Sequence, residues 1–175
     1  MENKKILWTT ILGTVVCLAI AIIFFGTAIN DLQQPPIYFL ILGFAGSLSL
    51  ALFRLKRVRD VIYINIMIYG LFAILSSFLR PITALILLIY YAALIISVFL
   101  FVKNFDMKLP QNIYIRPLIL AGLIGVFFII ANFIHGLLFI SRFHVGFLLR
   151  NMPIGFLVGL GIGIGSEITK RVISE

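Results

Sequence analysis

Charge and cysteine are what this sequence has little of. Only 11% of its 175 residues are Asp, Glu, Lys or Arg, and just 6 are acidic. An average soluble chain carries ~25% charged residues. A domain this small exposes much of its surface and needs polar groups to cover it. The scarcity excludes an ordinary soluble domain, and an apolar content of 62% excludes disorder. The single cysteine, Cys17, excludes an intrachain disulfide and any Cys-based metal or redox motif. Catalytic patterns are missing too. There is no G-x-S-x-G, no H-E-x-x-H, and no pair of carboxylates on one helix for acid–base work. The acid-rich metal motif of membrane phospho-alcohol transferases is also absent. The expectation is a protein that is not an enzyme and has no cofactor and no bound metal.

What the chain does have is apolar sequence in long runs. A hydrocarbon core ~30 Å thick needs ~20 apolar residues per helix. Six segments meet or approach that length: Ile6–Ile29, Pro36–Phe53, Val61–Leu79, Ile82–Val102, Pro117–Ile140 and Pro153–Thr169. Prolines stand at or before the starts of the second and fourth, where a missing N–H costs nothing. Only short polar connections separate the segments. The expected fold is all-α, a single integral membrane domain over residues 1–175 built as a bundle of six transmembrane helices. The first apolar run is too long for the ~7–15-residue core of a secretory signal and reads as a retained span. Val16 stands where a lipobox before Cys17 would need a small residue, and neither end carries a lipidation signal.

The net charge of +8 comes from 14 basic residues, which in a soluble protein would suggest nucleic acid. Here they lie between apolar runs and report topology and lipid headgroups, so no nucleic-acid partner is expected. With the N-terminus inside, six spans gather Lys4, Lys5, Arg54, Lys56, Arg57, Arg59, Lys103, Lys108, Arg116, Lys170 and Arg171 on the cytoplasmic side. Arg80, Arg142 and Arg150 remain outside. A re-entrant sixth segment would move Lys170 and Arg171 out and weaken the asymmetry. Both termini are therefore expected in the cytoplasm of a cell that places the protein in its plasma membrane. The loop residues Arg54, Lys56, Arg57 and Arg59 are expected to contact anionic headgroups of the inner leaflet.

Small residues recur at helical spacing. Gly155, Gly159 and Gly163 stand on one face of the last segment, with Gly161 and Gly165 as a second pair. Gly43, Ser47 and Ala51 repeat the spacing in the second segment, and Gly13, Cys17 and Ala21 in the first. Such stripes let helix backbones approach closely in lipid. They serve internal packing, or a face for a membrane-protein partner or a second copy of the chain.

Polar groups at membrane depth are costly and mark candidate sites. Asn132 and His135 share one face of the fifth segment, and Arg142 lies a heptad beyond. With Arg80, Arg150, His144 and the first outer loop (Asp31, Gln33, Gln34), they form a candidate outward-facing pocket for a small polar or anionic solute. The competing role is hydrogen bonding between helices, with the arginines reaching headgroups. Glu167 is expected to pair with Lys170 or Arg171, at i+3 and i+4, and is the one carboxylate placed for an ion- or proton-coupling role with His135. Asn65 and Tyr91 gain interest only if they share a cavity.

Two functions follow. The first is a small-solute transporter or its membrane-embedded substrate-binding subunit. In size, span number and orientation the chain resembles the substrate-binding subunits of energy-coupling-factor vitamin importers, a likeness of architecture carried by no motif. The second is a structural or accessory subunit of a membrane complex, assembled through the glycine-rich helix faces.

Overall fold

A computed structural model describes residues 2–25, 35–77, 81–106, 108–109, 114–139, 149 and 151–174 of the chain. Among these residues there are six long helices and no strand. They are α1 (Glu2–Phe25), α2 (Pro35–Arg54), α3 (Val58–Ser77), α4 (Pro81–Phe101), α5 (Ile115–Phe139) and α6 (Met152–Ser174). α4 continues into a π-helical turn over Val102–Asp106. Among the described residues four stretches are long and apolar enough to cross a membrane: Glu2–Phe25, Leu85–Asp106, Ile115–Phe139 and Met152–Val172. α2 and α3 are helices of 20 residues each.

Several boundaries depart from expectation: α1 begins at Glu2 and not at Ile6, and α3 at Val58 and not at Val61. α6 is an unbroken helix of 23 residues, about 35 Å at 1.5 Å per residue. It runs beyond Thr169 because Lys170 and Arg171 continue the helix on its polar end instead of terminating it. The connection expected at Lys103–Arg116 is shorter than it looked, because the π turn carries Lys103 and Asp106 on from α4 and α5 begins at Ile115.

The helices alternate in direction. α1 meets α2 through Gly13–Ser47 and Cys17–Gly43, and meets α6 through Gly13–Gly165 and Cys17–Gly161, antiparallel in both cases. α5 meets α6 through Ala121–Gly159 and Pro117–Gly163, again antiparallel. α4 packs on α5 and α2, and α2 reaches across to α6. α3 lies at the edge of the bundle, against α2 and α4. Phe39, Leu50, Leu94, Phe101, Leu120, Ile124, Phe128, Val158 and Ile162 are buried between these helices.

Large apolar side chains also cover much of the outside. Leu7, Ile23, Tyr63, Ile66, Met67, Leu71, Leu137 and Leu138 are each more than half exposed. So many exposed large apolar side chains are unusual on a soluble monomer and suit a hydrocarbon surround. Alternation of the helices brings the start of α1, the end of α2, the start of α3, the end of α4, the start of α5 and the end of α6 to one end. That basic end holds the Glu2–Arg57 ion pair and two clefts lined with lysine and arginine.

Candidate functional site

The densest chemistry sits at the basic end, inside the bundle. Arg54, the last residue of α2, forks onto Asp106 of the π turn. Its Nε donates to Oδ2 at 2.6 Å and its Nη2 to Oδ1 at 2.7 Å. This two-point geometry is the strongest form of carboxylate recognition. Arg54 Nη1 also donates to Ser166 Oγ of α6. Arg116, at the start of α5, places Nη1 3.8 Å from both Asp106 Oδ1 and Glu167 Oε1. Its Nη2 donates to the Leu109 carbonyl at 2.8 Å. Lys170 closes the set by donating to Glu167 Oε1 at 2.6 Å. Four helix ends are thus tied together by three cations and two carboxylates.

Local structure explains the placement. The wide π turn after Phe101 carries Asp106 inward, where it is buried. A single inserted residue of this kind re-aims the side chains of a helix end, and such turns are frequent at functional sites. Pro117, inside the first turn of α5, suits the helix start that holds Arg116. The side chains of Asp106 and Glu167 are each 8% exposed and that of Arg116 is 10%. The Nε of Arg116 is buried without a hydrogen-bond partner among the described residues.

Two clefts open beside this centre. One, about 330 Å³, lies among Lys5, Thr9, Arg54, Leu55, Thr169 and Lys170. The other, about 580 Å³, is bounded by Phe53, Lys56, Val58, Phe99, Val102, Lys103, Arg116 and Lys170, with Arg54 and Asp106 on its wall. The sequence puts Arg54 and Arg116 at this end, and Asp106 in the connection between the fourth and fifth apolar segments. The signal was present, since Asp106 and Glu167 are acids on the side where basic residues collect.

Of the residues expected in an outward-facing pocket, Asn132 and His135 are described. Asn132 is fully buried. Its Oδ1 accepts from the Tyr90 hydroxyl and, at 2.9 Å, from Asn151 Nδ2. Asn151 Nδ2 also lies 2.7 Å from the Tyr90 hydroxyl, and His135 Nδ1 lies 3.3 Å from it. Tyr90 packs in a tilted contact against Phe128, and His135 meets Tyr90 and Phe139 edge-on. The cluster joins α4, α5 and the turn before α6 as interhelical glue. Asn132 and His135 do share a face, as their spacing implies, and Tyr90 and Asn151 are the partners that the sequence did not single out. Arg80, Arg142, Arg150, His144, Asp31, Gln33 and Gln34 lie outside the described residues.

Asn65 and Tyr91 do meet. Tyr91 donates to Asn65 Oδ1 at 2.6 Å, and Asn65 Nδ2 donates to Ser49 Oγ at 2.9 Å and to the Val61 carbonyl at 2.7 Å. Both side chains are buried, and the trio fastens α3 to α2 and α4. Neither residue lines either cleft.

The small-residue stripes are occupied within the chain. A Cβ at Gly159 would stand 2.6 Å from Ala121 Cα, one at Gly163 2.6 Å from Pro117 Cα, and one at Gly155 2.7 Å from the Phe128 ring. Gly43 lies over Cys17, and Ser47 over Gly13, its Oγ buried and without a hydrogen-bond partner among the described residues. Of the four residues expected at lipid headgroups, Arg54 is held in the ion-pair centre. Arg57 pairs with Glu2 at 3.2 Å on the exposed surface, Lys56 lines the larger cleft, and Arg59 is exposed. Among the described residues no group of three or more His, Cys, Asp or Glu side chains is placed to hold a metal ion.

The fold and this chemistry define a helical bundle, with helices long and apolar enough to cross a membrane and a charged centre at one end. No family model matches the chain, and no curated protein or solved structure matches it.

Proposed function

We propose that the chain is a six-span plasma-membrane protein with both termini in the cytoplasm. It acts as a small-solute transporter or as the membrane-embedded substrate-binding subunit of one, not as an enzyme. Its solute is anionic and is recognised at the charged centre of the basic end. The observation that carries this reading is the network in which buried Asp106, Arg116 and Glu167 meet the partly exposed Arg54 and Lys170, contributed by α2, the π turn after α4, α5 and α6. Ionisable groups held inside an apolar bundle are expensive, and they mark substrate or ion pathways.

The network contains one more cation than carboxylate. Lys5, Lys56 and Lys103 stand around it in the two clefts. An entering anion competes with Asp106 and Glu167 for Arg116 and Lys170. Binding then releases ties between helix ends, which links occupancy to movement of those ends. The one-sided distribution of lysine and arginine supports a cytoplasmic basic end. The accessory-subunit alternative has less support, because the glycine stripes on which it rests pack inside the chain.

The test is thermal unfolding of the purified protein in detergent against a panel of carboxylates, phosphate and sulfate. One anion class is expected to stabilise it by mass action, and Arg116→Gln to abolish that shift. If every anion leaves the unfolding temperature unchanged, the solute-binding reading fails.

A further inference from the structure

We propose that the larger cleft at the basic end is a binding site for one anionic phospholipid, with Lys56 and Lys103 as its headgroup ligands. The site goes beyond the solute reading and stands without it. The cleft has two kinds of wall. Arg54, Lys56, Lys103, Arg116 and Lys170 face it with one carboxylate, Asp106. Phe53, Val58, Phe99 and Val102 form the rest. Val58 and Phe99 are also among the exposed large apolar residues, so the apolar wall continues onto the outer surface of the bundle. A free inorganic anion would use the basic wall alone. An amphiphile with a phosphate at one end and acyl chains at the other uses both.

The five cations do not contribute equally. Arg54 is engaged by Asp106, and Lys170 by Glu167. Among the described residues neither Lys56 nor Lys103 is paired with a carboxylate, and Lys103 Nζ stands 5.9 Å from the centre of the Phe99 ring. Deeper in the cleft, Arg116 retains an Nε–H with no acceptor among the described residues, so donor capacity remains at the inner wall. Lys56 also adopts a left-handed backbone, φ 58°, where glycine is the ordinary choice. A side chain kept in a sparsely populated conformation points to a role for that side chain. Here it sets a cation at the cleft rim. The volume, about 580 Å³, suits a headgroup with the first carbons of its chains. The orientation proposed above puts the cleft in the cytoplasmic leaflet, where anionic lipid attracts basic residues near the surface.

Full-length protein in mild detergent is titrated with short-chain phosphatidylglycerol, short-chain phosphatidylcholine and inorganic phosphate. Native mass spectrometry reads adducts, and thermal unfolding reads stabilisation. Phosphatidylglycerol is expected to bind one per chain and to stabilise, and the other two are not. A Lys56→Gln/Lys103→Gln double variant is expected to weaken binding roughly tenfold or more, the scale set by two basic residues at an anionic surface. Lys56→Arg/Lys103→Arg should retain binding. Arg57→Gln/Arg59→Gln, which removes equal charge from the same end outside the cleft, should leave it unchanged. Equal loss in that control reduces the effect to surface charge and overturns the site. Equal binding of phosphatidylcholine removes the headgroup role. Stabilisation by phosphate alone makes the cleft a soluble-anion site and overturns the lipid assignment while favouring the solute reading.

Discussion

Lys56 shows how much one residue can carry. The Arg57 N–H bonds to the Leu52 carbonyl and the Lys56 N–H to the Phe53 carbonyl, both at 3.0 Å. These two bonds close α2 in a Schellman motif, whose left-handed position favours glycine. A lysine there costs about 1–2 kcal/mol relative to an unstrained site. Lys56→Gly is therefore expected to raise thermal stability in lipid-free detergent by about 1 kcal/mol. Unchanged or lowered stability would mean that the lysine side chain contributes contacts within the chain. Tyr90 is a second case, since its hydroxyl links Asn132, His135 and Asn151. Interhelical hydrogen bonds in membranes contribute about 0.6–2 kcal/mol. Tyr90→Phe should cost that much in unfolding free energy and leave anion-dependent stabilisation intact. Loss of the anion response with unchanged stability would return the site to the Asn132 cluster.

At the scale of elements, α6 decides the bundle. Its two glycine sets point about 140° apart around the helix axis, one toward α5 and the other toward α1. Gly165 faces Gly13, so two backbones touch where any side chain would intrude. Overpacking of this kind typically costs 1–3 kcal/mol, which is the loss expected for Gly165→Ala or Gly159→Ala in detergent unfolding. Gly122 has nothing within 4 Å of an added Cβ. Gly122→Ala should be neutral or stabilising by up to about 1 kcal/mol through helix propensity. If all three substitutions behaved alike, close packing would not be the function of the α6 stripes. The stripes were legible as stripes in the sequence. Their partners were not, because 4-residue spacing describes a face and says nothing about which neighbour covers it.

For the whole molecule, the charged centre distinguishes buried from exposed electrostatics. Removing one member of a buried ion pair leaves its partner desolvated, at a cost of about 3–5 kcal/mol. Asp106→Asn should approach that range, whereas Arg57→Gln, which breaks an exposed pair, should cost under about 1 kcal/mol. Similar small effects for both would show that water reaches the centre freely. Orientation is a property of the whole chain too. In intact cells, a thiol introduced by Arg59→Cys in a Cys17→Ala background should resist membrane-impermeant maleimide and become reactive after lysis. Labelling before lysis would reverse the proposed topology.

Sequence alone determined the helices and the gathering of basic residues at their connections. Apolar runs of bilayer length and a one-sided distribution of lysine and arginine are local quantities, set by the free energy of each segment in water or hydrocarbon. The same reasoning placed Glu167 beside Lys170, because three residues along one helix are always neighbours. Only the tertiary structure decided that Arg54, Asp106, Arg116 and Glu167 meet. They lie on four helices, and their convergence depends on which small-residue faces interlock and on the π turn that carries Asp106 inward. Tertiary packing likewise made Asn132 a hydrogen-bonded tie between helices. Its spacing from His135 put both on one face, but Tyr90 and Asn151 arrive from other elements to fill that face.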